Sequence, residues 1–448
     1  MKKVRNLDKI ELIFKIMFII YVILSSNNLT YGKNVISYVM WPMILLGCIL
    51  LLYRIFNWKR YIKMPLLPIF VCFAGSFLLS MLINYQYEFK QNIITLLFLC
   101  FYFFLLYTHD EECTAKDILK EFRIVACVFV LYTTVGTAIS LGMFFKGYGH
   151  VEVLENGYEV VSGFVWGRLF GVFLEPNPAA VMAIISIFFL IYFIRSEKKV
   201  IVTTLGLVDI IIHTLFIAFA DSRTAKVCFF VAGVLYVLME AFKNKEKFAT
   251  YKKKIIIVIL AVIIGIGTNV ILVEITNCYN YLVSRNEEAN NQEVERNYDL
   301  EADPSNRRFD IWKSGLEIFN ENKIFGTSYY GIQLYAKENL PDTYIINNTQ
   351  TNFRNLHNEF LNILVSQGCI GLVIVLVLIF SYLRILKRKY EFVDKKYIDV
   401  TNTLLINIII IAISSMFVAA GMFYYNIPSS NLFWMLLGYS VALMKYEL

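Results

Sequence analysis

Residues 255–273 read IIIVILAVIIGIGTNVILV, and none of these side chains is charged. As an α-helix this run is about 28 Å long, which matches the roughly 30 Å hydrocarbon core of a bilayer. Lipid offers the backbone no hydrogen-bond partners, so a spanning segment must satisfy its own, as a helix does. The run therefore predicts a transmembrane helix.

Comparable apolar runs, separated by short charged segments, recur along the whole chain. Of the 448 residues 58% are apolar and only 17% are charged, whereas soluble domains carry about 25% charged residues. We predict an all-α polytopic membrane protein in which residues 1–448 form a single integral membrane domain. About twelve transmembrane helices are expected, at residues 10–28, 35–53, 64–83, 91–107, 124–145, 172–194, 200–219, 224–241, 255–273, 358–383, 401–420 and 430–445.

Basic residues predict how these spans are oriented. Lys and Arg concentrate in the alternate set of short segments that includes the N-terminus, and such segments stay in the cytoplasm. Both termini are therefore predicted to be cytoplasmic. This orientation leaves residues 274–357, between spans 9 and 10, as a large extracytoplasmic loop.

The loop 274–357 is the longest non-apolar stretch of the chain. A loop of this length in a compact protein is usually functional or disordered. Its aromatic residues argue against disorder; they include Phe309, Trp312, Phe319, Phe325, Tyr329 and Tyr330. The pattern from Arg308 to Ile318 predicts a short helix, and we expect the active site to involve this loop.

Four of the arginines on the predicted outer face are candidates for an anion site, namely Arg168, Arg223, Arg307 and Arg308. Taken singly, each fits an interfacial anchor or a solvated helix start, with Asp221 partly neutralising Arg223. Because all four share one face, they also fit an anion site, since Arg binds phosphate oxygens through paired hydrogen bonds. The residues alone leave both interpretations open.

His357 begins the tenth predicted span, whose first turns are unusually polar. A spacing of i, i+4 and i+8 predicts one polar face that lines a wet cavity, formed by Asn358, Asn362 and Ser366. The helix dipole disfavours imidazolium there, so His357 is expected to be neutral, as a general base must be. A capping or interfacial histidine is the alternative. Gly368 and Gly371 are expected to allow close helix packing.

The sequence Glu175-Pro176-Asn177-Pro178 lies in the sixth predicted span. Two prolines so close together are expected to interrupt the helix. A broken helix at membrane depth lines a cavity or is buried in protein. Glu175 is therefore either a second candidate base or the partner of one of the arginines, and Asn177 is expected to line the same cavity.

The sequence has no pattern typical of a metal or cofactor site. The eight cysteines lie mostly inside apolar runs, without the spacing of metal ligands or of a disulfide framework. A phosphate-cradling glycine loop and a zinc-binding His-Glu-x-x-His motif are both missing from the sequence. We predict no metal, no cofactor and no nucleic-acid partner.

Two motifs in the middle of the chain resemble the O-antigen polymerase and ligase superfamily of bacterial envelope glycan enzymes. Arg168-Leu-Phe-Gly-Val-Phe-Leu-Glu-Pro-Asn177 is similar to that family's Arg-x-x-Gly-x-Phe-x-x-Pro-Asn segment. Asp221-Ser-Arg223-Thr-Ala is similar to its Ser-Arg-x-Ala span start.

Two further motifs follow in the family's order. Arg308-Phe-Asp-Ile-Trp312, followed by Asn322-Lys-Ile-Phe-Gly326, resembles a loop motif that precedes a Pro-x-x-Gly-x-Gly turn, although Lys323 replaces the usual Pro. His357-Asn-Glu-Phe-Leu361 and Gln367-Gly-Cys-Ile-Gly371-Leu resemble the family's His-Asn-x-x-Leu and Gly-x-x-Gly-Leu signature. The resemblance covers roughly residues 165 to 380.

This resemblance implies a membrane glycosyltransferase that works at the outer face of the bacterial plasma membrane with a polyprenyl-diphosphate-linked glycan as donor. Cations must then stabilise the leaving diphosphate, and we expect Arg223 and Arg308 to bind it, assisted by Arg168 and Arg307. A base must also accept the proton of the acceptor hydroxyl. His357 is the first choice for this role and Glu175 the second.

The particular reaction has alternatives. A polymerase of capsule or O-antigen repeat units is favoured, and a ligase that transfers the finished glycan to a terminal acceptor shares the same motifs. A flippase of lipid-linked oligosaccharide belongs to a different class and would suit the span count equally well. Transporters usually have internal symmetry, which the sequence lacks. A chain-length regulator and a flippase of the same pathway are candidate partners.

Overall fold

In the computed structural model the described residues are 2–154, 159–242, 251–284, 294, 307–348, 353–418, 421–424 and 426–445. They are mostly helical. In chain order their α-helices are α1 Lys2–Ser25, α2 Val35–Phe56, α3 Leu67–Ile83, α4 Phe89–Phe101, α5 Ala115–Phe145, α6 Pro176–Glu197, α7 Val200–Ala220, α8 Arg223–Phe242, α9 Tyr251–Ser284, α10 Arg308–Glu321, α11 Gly331–Asn339, α12 Glu359–Lys389, α13 Ile398–Ser414 and α14 Pro428–Lys445.

Each predicted span coincides with one of these helices, which confirms the all-α polytopic class. Among the described residues, eight helices are long and apolar enough to cross a membrane: α2, α4 with its π-helical extension to Leu106, α5, α6, α7, α8, α9 and α12. The apolar helices α3 and α13 are shorter. The helices α1 and α14 cover the first and last predicted spans.

The segment between α5 and α6 contains strands that the sequence analysis did not predict. Strands β1 Gly149–Val153, β2 Glu159–Val165 and β3 Arg168–Gly171 form an antiparallel sheet in that order. A two-residue turn joins β2 to β3, with φ of 52° at Trp166 and 69° at Gly167. Positive φ at both central residues is the geometry that suits a tight hairpin. The hairpin places Arg168 at the start of β3.

The long loop is partly described. Helix α9 continues to Ser284, past the predicted end of its span, and α10 covers the predicted short helix that begins at Arg308. Residues 285–293, 295–306 and 349–352 of the loop lie outside the described residues. Helix α10 packs against α12, so the loop is anchored on a spanning helix.

Helix α12 is broken at Gly368, where φ is 65° and ψ is −162°. The loop segment 323–328 fills the break: Thr327 N donates to Val365 O at 2.9 Å, and Ser328 N donates to Ser366 O at 3.0 Å. On the other side Cys369 N donates to Lys323 O at 2.8 Å. Backbone groups freed at membrane depth are thus satisfied by protein, as a low-dielectric interior requires. Gly368 breaks the helix, so its role goes beyond the close packing that was predicted.

Buried polar side chains in α3, at its end and in α4 hold this loop segment in place. Ser80 Oγ accepts a hydrogen bond from Ser328 N at 3.0 Å, and Asn84 Nδ2 donates to Gly326 O at 2.9 Å. Asn92 Nδ2 donates to Ser328 Oγ at 3.1 Å. The loop segment 323–328 is therefore packed against α3 and α4.

Candidate active site

The first group of predicted site residues meets where β3, α6 and α7 come together. Arg168 Nε donates to Ala220 O at 3.0 Å, and an Nη of Arg168 donates to Asn177 Oδ1 at 2.8 Å. The guanidinium therefore joins the end of α7 to the first turn of α6. Asn177, predicted to line a cavity, has its side-chain oxygen bound to Arg168.

The two prolines start α6, so the prediction that they interrupt a span beginning at residue 172 is wrong. Glu175 is the N-cap residue, with an extended backbone, and Pro176 is the first helical residue. Proline is tolerated there because the first N–H groups of a helix have no intrahelical partner. The helix-breaking residues are recognisable in the sequence, but the helix starts at Pro176 and not at the predicted residue 172.

Glu175 lies at the N-terminus of α6, and its side chain is exposed. Desolvation raises the pKa of its carboxyl group, while the positive charge of Arg168 acts in the opposite direction. An exposed carboxylate within the electrostatic reach of a guanidinium suits a base or a partner of the arginine. Both predicted roles of Glu175 remain candidates.

The Asp221-Ser222-Arg223 motif is a tight turn between α7 and α8. Asp221 has a left-handed backbone, with φ of 42°, and Ser222 Oγ accepts a hydrogen bond from Ala225 N at 3.2 Å. The Asp221 carboxylate pairs with Lys226 Nζ at 2.6 Å. Arg223 is half-buried in the first turn of α8, three residues after the carbonyl that Arg168 contacts. The fold thus brings the backbone positions of both arginines to one corner.

The second group is centred on His357. Its backbone is left-handed, with φ of 50°, and its N–H donates to Asn355 Oδ1 at 3.0 Å. Desolvation lowers the pKa of the His357 imidazole to about 4, and the positive charge of Arg308 adds to the effect. The imidazole is therefore neutral at neutral pH, and Arg308, at the start of α10, is close enough to influence it electrostatically.

The neighbouring arginine in the loop has a different environment. Arg307 precedes α10 in a left-handed conformation, with φ of 61°. Its guanidinium is about half exposed and lies 3.5 Å from the carboxylate of Asp310. The Arg307 side chain is thus exposed, whereas the Arg308 side chain is half-buried.

The amides next to His357 organise the start of α12. Asn358 is the N-cap, and its Oδ1 accepts a hydrogen bond from Leu361 N at 3.1 Å. Asn362 is buried, and its Oδ1 accepts from Leu356 N at 2.9 Å. The oxygens that were expected to line a cavity therefore fix the backbone on both sides of His357.

Glu359 is a site residue to which the sequence analysis gave no role. Its side chain is 2% exposed, and its carboxylate accepts backbone hydrogen bonds from Phe423, at 2.7 Å, and from Met422 and Tyr424. Its own N–H donates to Ser415 O at 3.0 Å. The only sequence signal was an acid in the first turn of a span, two residues after His357.

Residues 415–418, 421–424 and 426–427 complete this corner of the bundle. Residues 401–420 were predicted to span the membrane, but α13 ends at Ser414, and 421–424 are buried outside any helix. Trp434 Nε1 donates to Met422 O at 2.7 Å, and Tyr424 OH accepts from Ser366 Oγ at 2.9 Å. Non-helical backbone is tolerated at this depth because protein covers it.

Helix α13 packs against α8, which carries Arg223, and the residue that follows α13 binds Glu359. It therefore shows how the two groups of site residues lie relative to each other. Cys228 Sγ of α8 lies 3.7 Å from Ile410 O of α13. From this contact, Arg223 lies five residues away along α8, and Ser415 lies five residues away just past the end of α13, toward the same end of the bundle. Ser415 O accepts the backbone hydrogen bond from Glu359 N. Five residues of helix correspond to about 7.5 Å in each case. The first turns of α8 and α12 are therefore at the same level.

Together, the fold and the site define a polytopic helical membrane protein with arginines, a neutral histidine and a buried glutamate at one end of its bundle. Residues 208–376 match the family model described as O-Antigen ligase. The match confirms the predicted resemblance to the O-antigen polymerase and ligase superfamily.

A protein of Haemophilus influenzae, whose name states only that it is uncharacterized, is 27% identical over 199 residues. The match covers 42% of this chain and 44% of the relative. The chain thus spans less than half the length of the relative it matches.

Proposed function

We propose that the protein is a polymerase that joins polyprenyl-diphosphate-linked oligosaccharide repeat units into a surface polysaccharide, a capsule or an O-antigen. The reaction would take place at the outer face of the plasma membrane and release polyprenyl diphosphate. The observation that carries the proposal is the match of residues 208–376 to the O-antigen ligase family model, because this region includes Arg223, Arg308 and His357.

In the proposed reaction the acceptor hydroxyl oxygen attacks the anomeric carbon of the donor glycan, and the bond from that carbon to the diphosphate oxygen breaks. The hydroxyl proton passes to His357, and polyprenyl diphosphate leaves with the bonding electrons. Arg223 and Arg308 bind the diphosphate, so that their charges stabilise the negative charge that develops on it. One direct displacement of this kind inverts the anomeric centre.

The electrostatic influence of Arg308 on His357 suggests how the base is activated. Arg308 disfavours imidazolium and so, together with desolvation, helps to hold the pKa of His357 near 4. A diphosphate bound to Arg308 would offset this positive charge and raise the pKa of His357, because a nearby anion stabilises imidazolium. His357 then becomes a stronger base only when the donor is in place.

Two other residues have supporting parts. Arg168 is held beside the first turn of α8 by Ala220 O, so it can add positive charge near Arg223. Glu175 is the alternative base, because its carboxylate is exposed and lies within the electrostatic reach of Arg168. Comparison of Glu175→Gln with His357→Gln tests the assignment: the variant that lacks the true base is expected to lose about 10²–10⁴-fold in transfer rate.

A ligase that transfers the completed glycan to a terminal acceptor is the second candidate, because the matching family model is described as O-Antigen ligase. A mass-spectrometric profile of lipid-linked glycans in a strain without this gene separates the candidates. Single repeat units that accumulate on the outer face are expected for a polymerase, and long outer-face chains for a ligase. Single units trapped on the inner face would instead indicate a flippase and overturn the proposal.

A further inference from the structure

Helix α7 has an acid and an imidazole in the middle of its membrane span, and neither belongs to the site described above. His213 is fully buried, and the Asp209 side chain is 13% exposed. They are one turn apart on the same helical face. Ionisable side chains inside the hydrocarbon region are costly, so they usually mark a functional site and face a specific partner.

Helix α5 supplies those partners. Thr134 Oγ1 donates to Asp209 Oδ2 at 2.7 Å, and Thr137 Oγ1 lies 3.2 Å from His213 Nδ1. The remaining polar atoms, Asp209 Oδ1 and His213 Nε2, are 3.4 Å apart. In the described part of the chain, both atoms are buried without a hydrogen-bond partner of standard geometry. Each is thus an unsatisfied polar atom that lies 3.4 Å from the other.

The hydrogen bonds of Thr137 decide which tautomer His213 adopts. Thr137 Oγ1 lies 2.8 Å from Thr133 O, and a carbonyl can only accept, so the hydroxyl hydrogen points to Thr133. The Thr137 oxygen is then left to accept from His213, which must carry a hydrogen on Nδ1. Nε2 is therefore the nitrogen that shares a proton with Asp209.

We propose that Asp209 and His213 form a proton-binding site inside the membrane, with one proton held between Asp209 Oδ1 and His213 Nε2. With one proton the pair has zero net charge, whether the proton rests on the carboxylate or on the imidazole. Without it the pair would be an anion, and with a second proton it would be a cation. A net charge at this depth is strongly unfavourable, so the pair holds its proton across the neutral pH range.

Charged groups on the elements packed against α7 lie near its two ends. Near its start are Arg195 and Glu197 of α6 and the charged residues in the first turns of α5, from Lys116 to Arg123. Near its end are Arg168 of β3, which contacts Ala220, and Glu274 of α9. Within the described residues no third His, Cys, Asp or Glu joins the pair, so its chemistry suits a proton better than a metal ion.

Solid-state NMR of the full chain in lipid bilayers, labelled with ¹⁵N-histidine, tests the proposal. His213→Gln assigns the His213 signals, and the exposed His150 on β1 provides an imidazole in water for comparison. We expect a protonated Nδ1 and an Nε2 shift typical of a shared proton, both unchanged from about pH 5 to about pH 8. The isosteric Asp209→Asn should move the Nε2 signal to the value of a neutral imidazole.

A second variant tests the tautomer separately. Thr137→Val removes the acceptor of the Nδ1 hydrogen and is expected to shift His213 toward the tautomer protonated on Nε2. An Nε2 shift that does not respond to Asp209→Asn, or an imidazole that titrates within this pH range, would overturn the shared proton. Unchanged protonation of Nδ1 in Thr137→Val would overturn the proposed hydrogen-bond direction. Each variant should elute and melt like the unaltered protein, which separates these outcomes from misfolding.

Discussion

Arg308 and His357 are the pair of single residues whose chemistry can be tested most directly. Substitution of Arg308 by Met removes the charge that helps to lower the pKa of His357, so this pKa should rise from about 4 toward 6.5. The acid limb of the pH profile of kcat/KM should move to higher pH by the same amount. We also expect transfer to fall by about 10²-fold, because a diphosphate ligand is lost.

The control for this experiment is Arg307→Met, since Arg307 is an exposed neighbour that pairs with Asp310. It should leave the acid limb in place. In the unaltered protein, the limb measured from kcat should lie at higher pH than that from kcat/KM, because bound diphosphate raises the pKa of His357. If the acid limbs of the kcat and kcat/KM profiles lie at the same pH, then the donor does not activate His357.

Glu359 is expected to be a positioning residue. Its carboxylate accepts three backbone N–H groups, and Glu359→Gln turns one acceptor oxygen into an N–H₂ group that faces donors. A buried, poorly satisfied polar group of this kind lowers the free energy of unfolding by about 1–3 kcal/mol. Thermal unfolding in detergent measures this loss. The exposed Glu321→Gln on α10 should unfold like the unaltered protein, and equal stability of both variants would remove this role from Glu359.

The sequence alone can identify a candidate site residue when its neighbours along the chain make that residue unusual. An arginine or histidine at the end of an apolar run is conspicuous because charge is costly there, which is how Arg223 and His357 were found. Glu359 and the Asp209–His213 pair were missed because their roles depend on contacts with distant segments. Nothing near Glu359 in sequence shows that the amides of residues 422–424 will surround it.

At the level of elements, the broken helix α12 leads to a prediction about Gly368. A Cβ at this position would collide with the carbonyl of Ile324, and the backbone has φ of 65°, which L-residues rarely adopt. Gly368→Ala should therefore lower the free energy of unfolding by about 1–3 kcal/mol. It should also loosen residues 323–328, which limited proteolysis can detect as faster cleavage.

The matched control is Gly75→Ala in α3, where an added Cβ has open space around it. Alanine favours helix over glycine by up to about 1 kcal/mol, so this variant should be at least as stable as the unaltered protein. If Gly368→Ala proves equally stable, then α12 tolerates a continuous helix and the break does not depend on glycine.

A helix could be predicted from the sequence where one physical requirement, such as the thickness of the bilayer, sets its length. The bilayer imposes a run of apolar residues, so every predicted span coincides with a helix. The sheet of β1–β3 was missed because its strands are short and depend on pairing with each other. The early end of α13 was missed because residues 415–420 continue an apolar pattern, while Glu359 binds Ser415 O from another helix.

The molecule as a whole has a buried ionic cluster at the end opposite the candidate site, and the sequence analysis did not detect it. Lys15 of α1 is 1% exposed and pairs with Glu121 of α5 at 2.5 Å, and Tyr439 OH of α14 donates to the same carboxylate at 2.8 Å. Three helices that are distant in sequence are thus joined. Lys15→Met should lower the free energy of unfolding by about 3–5 kcal/mol, because it leaves the Glu121 carboxylate, which is only 18% exposed, without its cation.

A second ion pair provides the control for Lys15. Lys63 and Glu111 are also close, at 2.6 Å, but Lys63 is 67% exposed. Lys63→Met should change the free energy of unfolding by no more than about 1 kcal/mol, since exposed pairs contribute little. The double variant Lys15→Met/Glu121→Gln should regain part of the loss. Equal effects of Lys15→Met and Lys63→Met on thermal unfolding would show that burial does not matter here.

The orientation of the whole molecule decides whether the proposed reaction can take place outside the cell. The distribution of Lys and Arg predicts cytoplasmic termini, which places α11 outside and the end of α12 inside. In a variant without its eight native cysteines, Asn339→Cys should react with a membrane-impermeant maleimide on intact cells. Lys387→Cys should react only after permeabilisation; both side chains are exposed in the structure. The reverse labelling pattern would place Arg223, Arg308 and His357 at the cytoplasmic face and exclude polymerisation at the outer face.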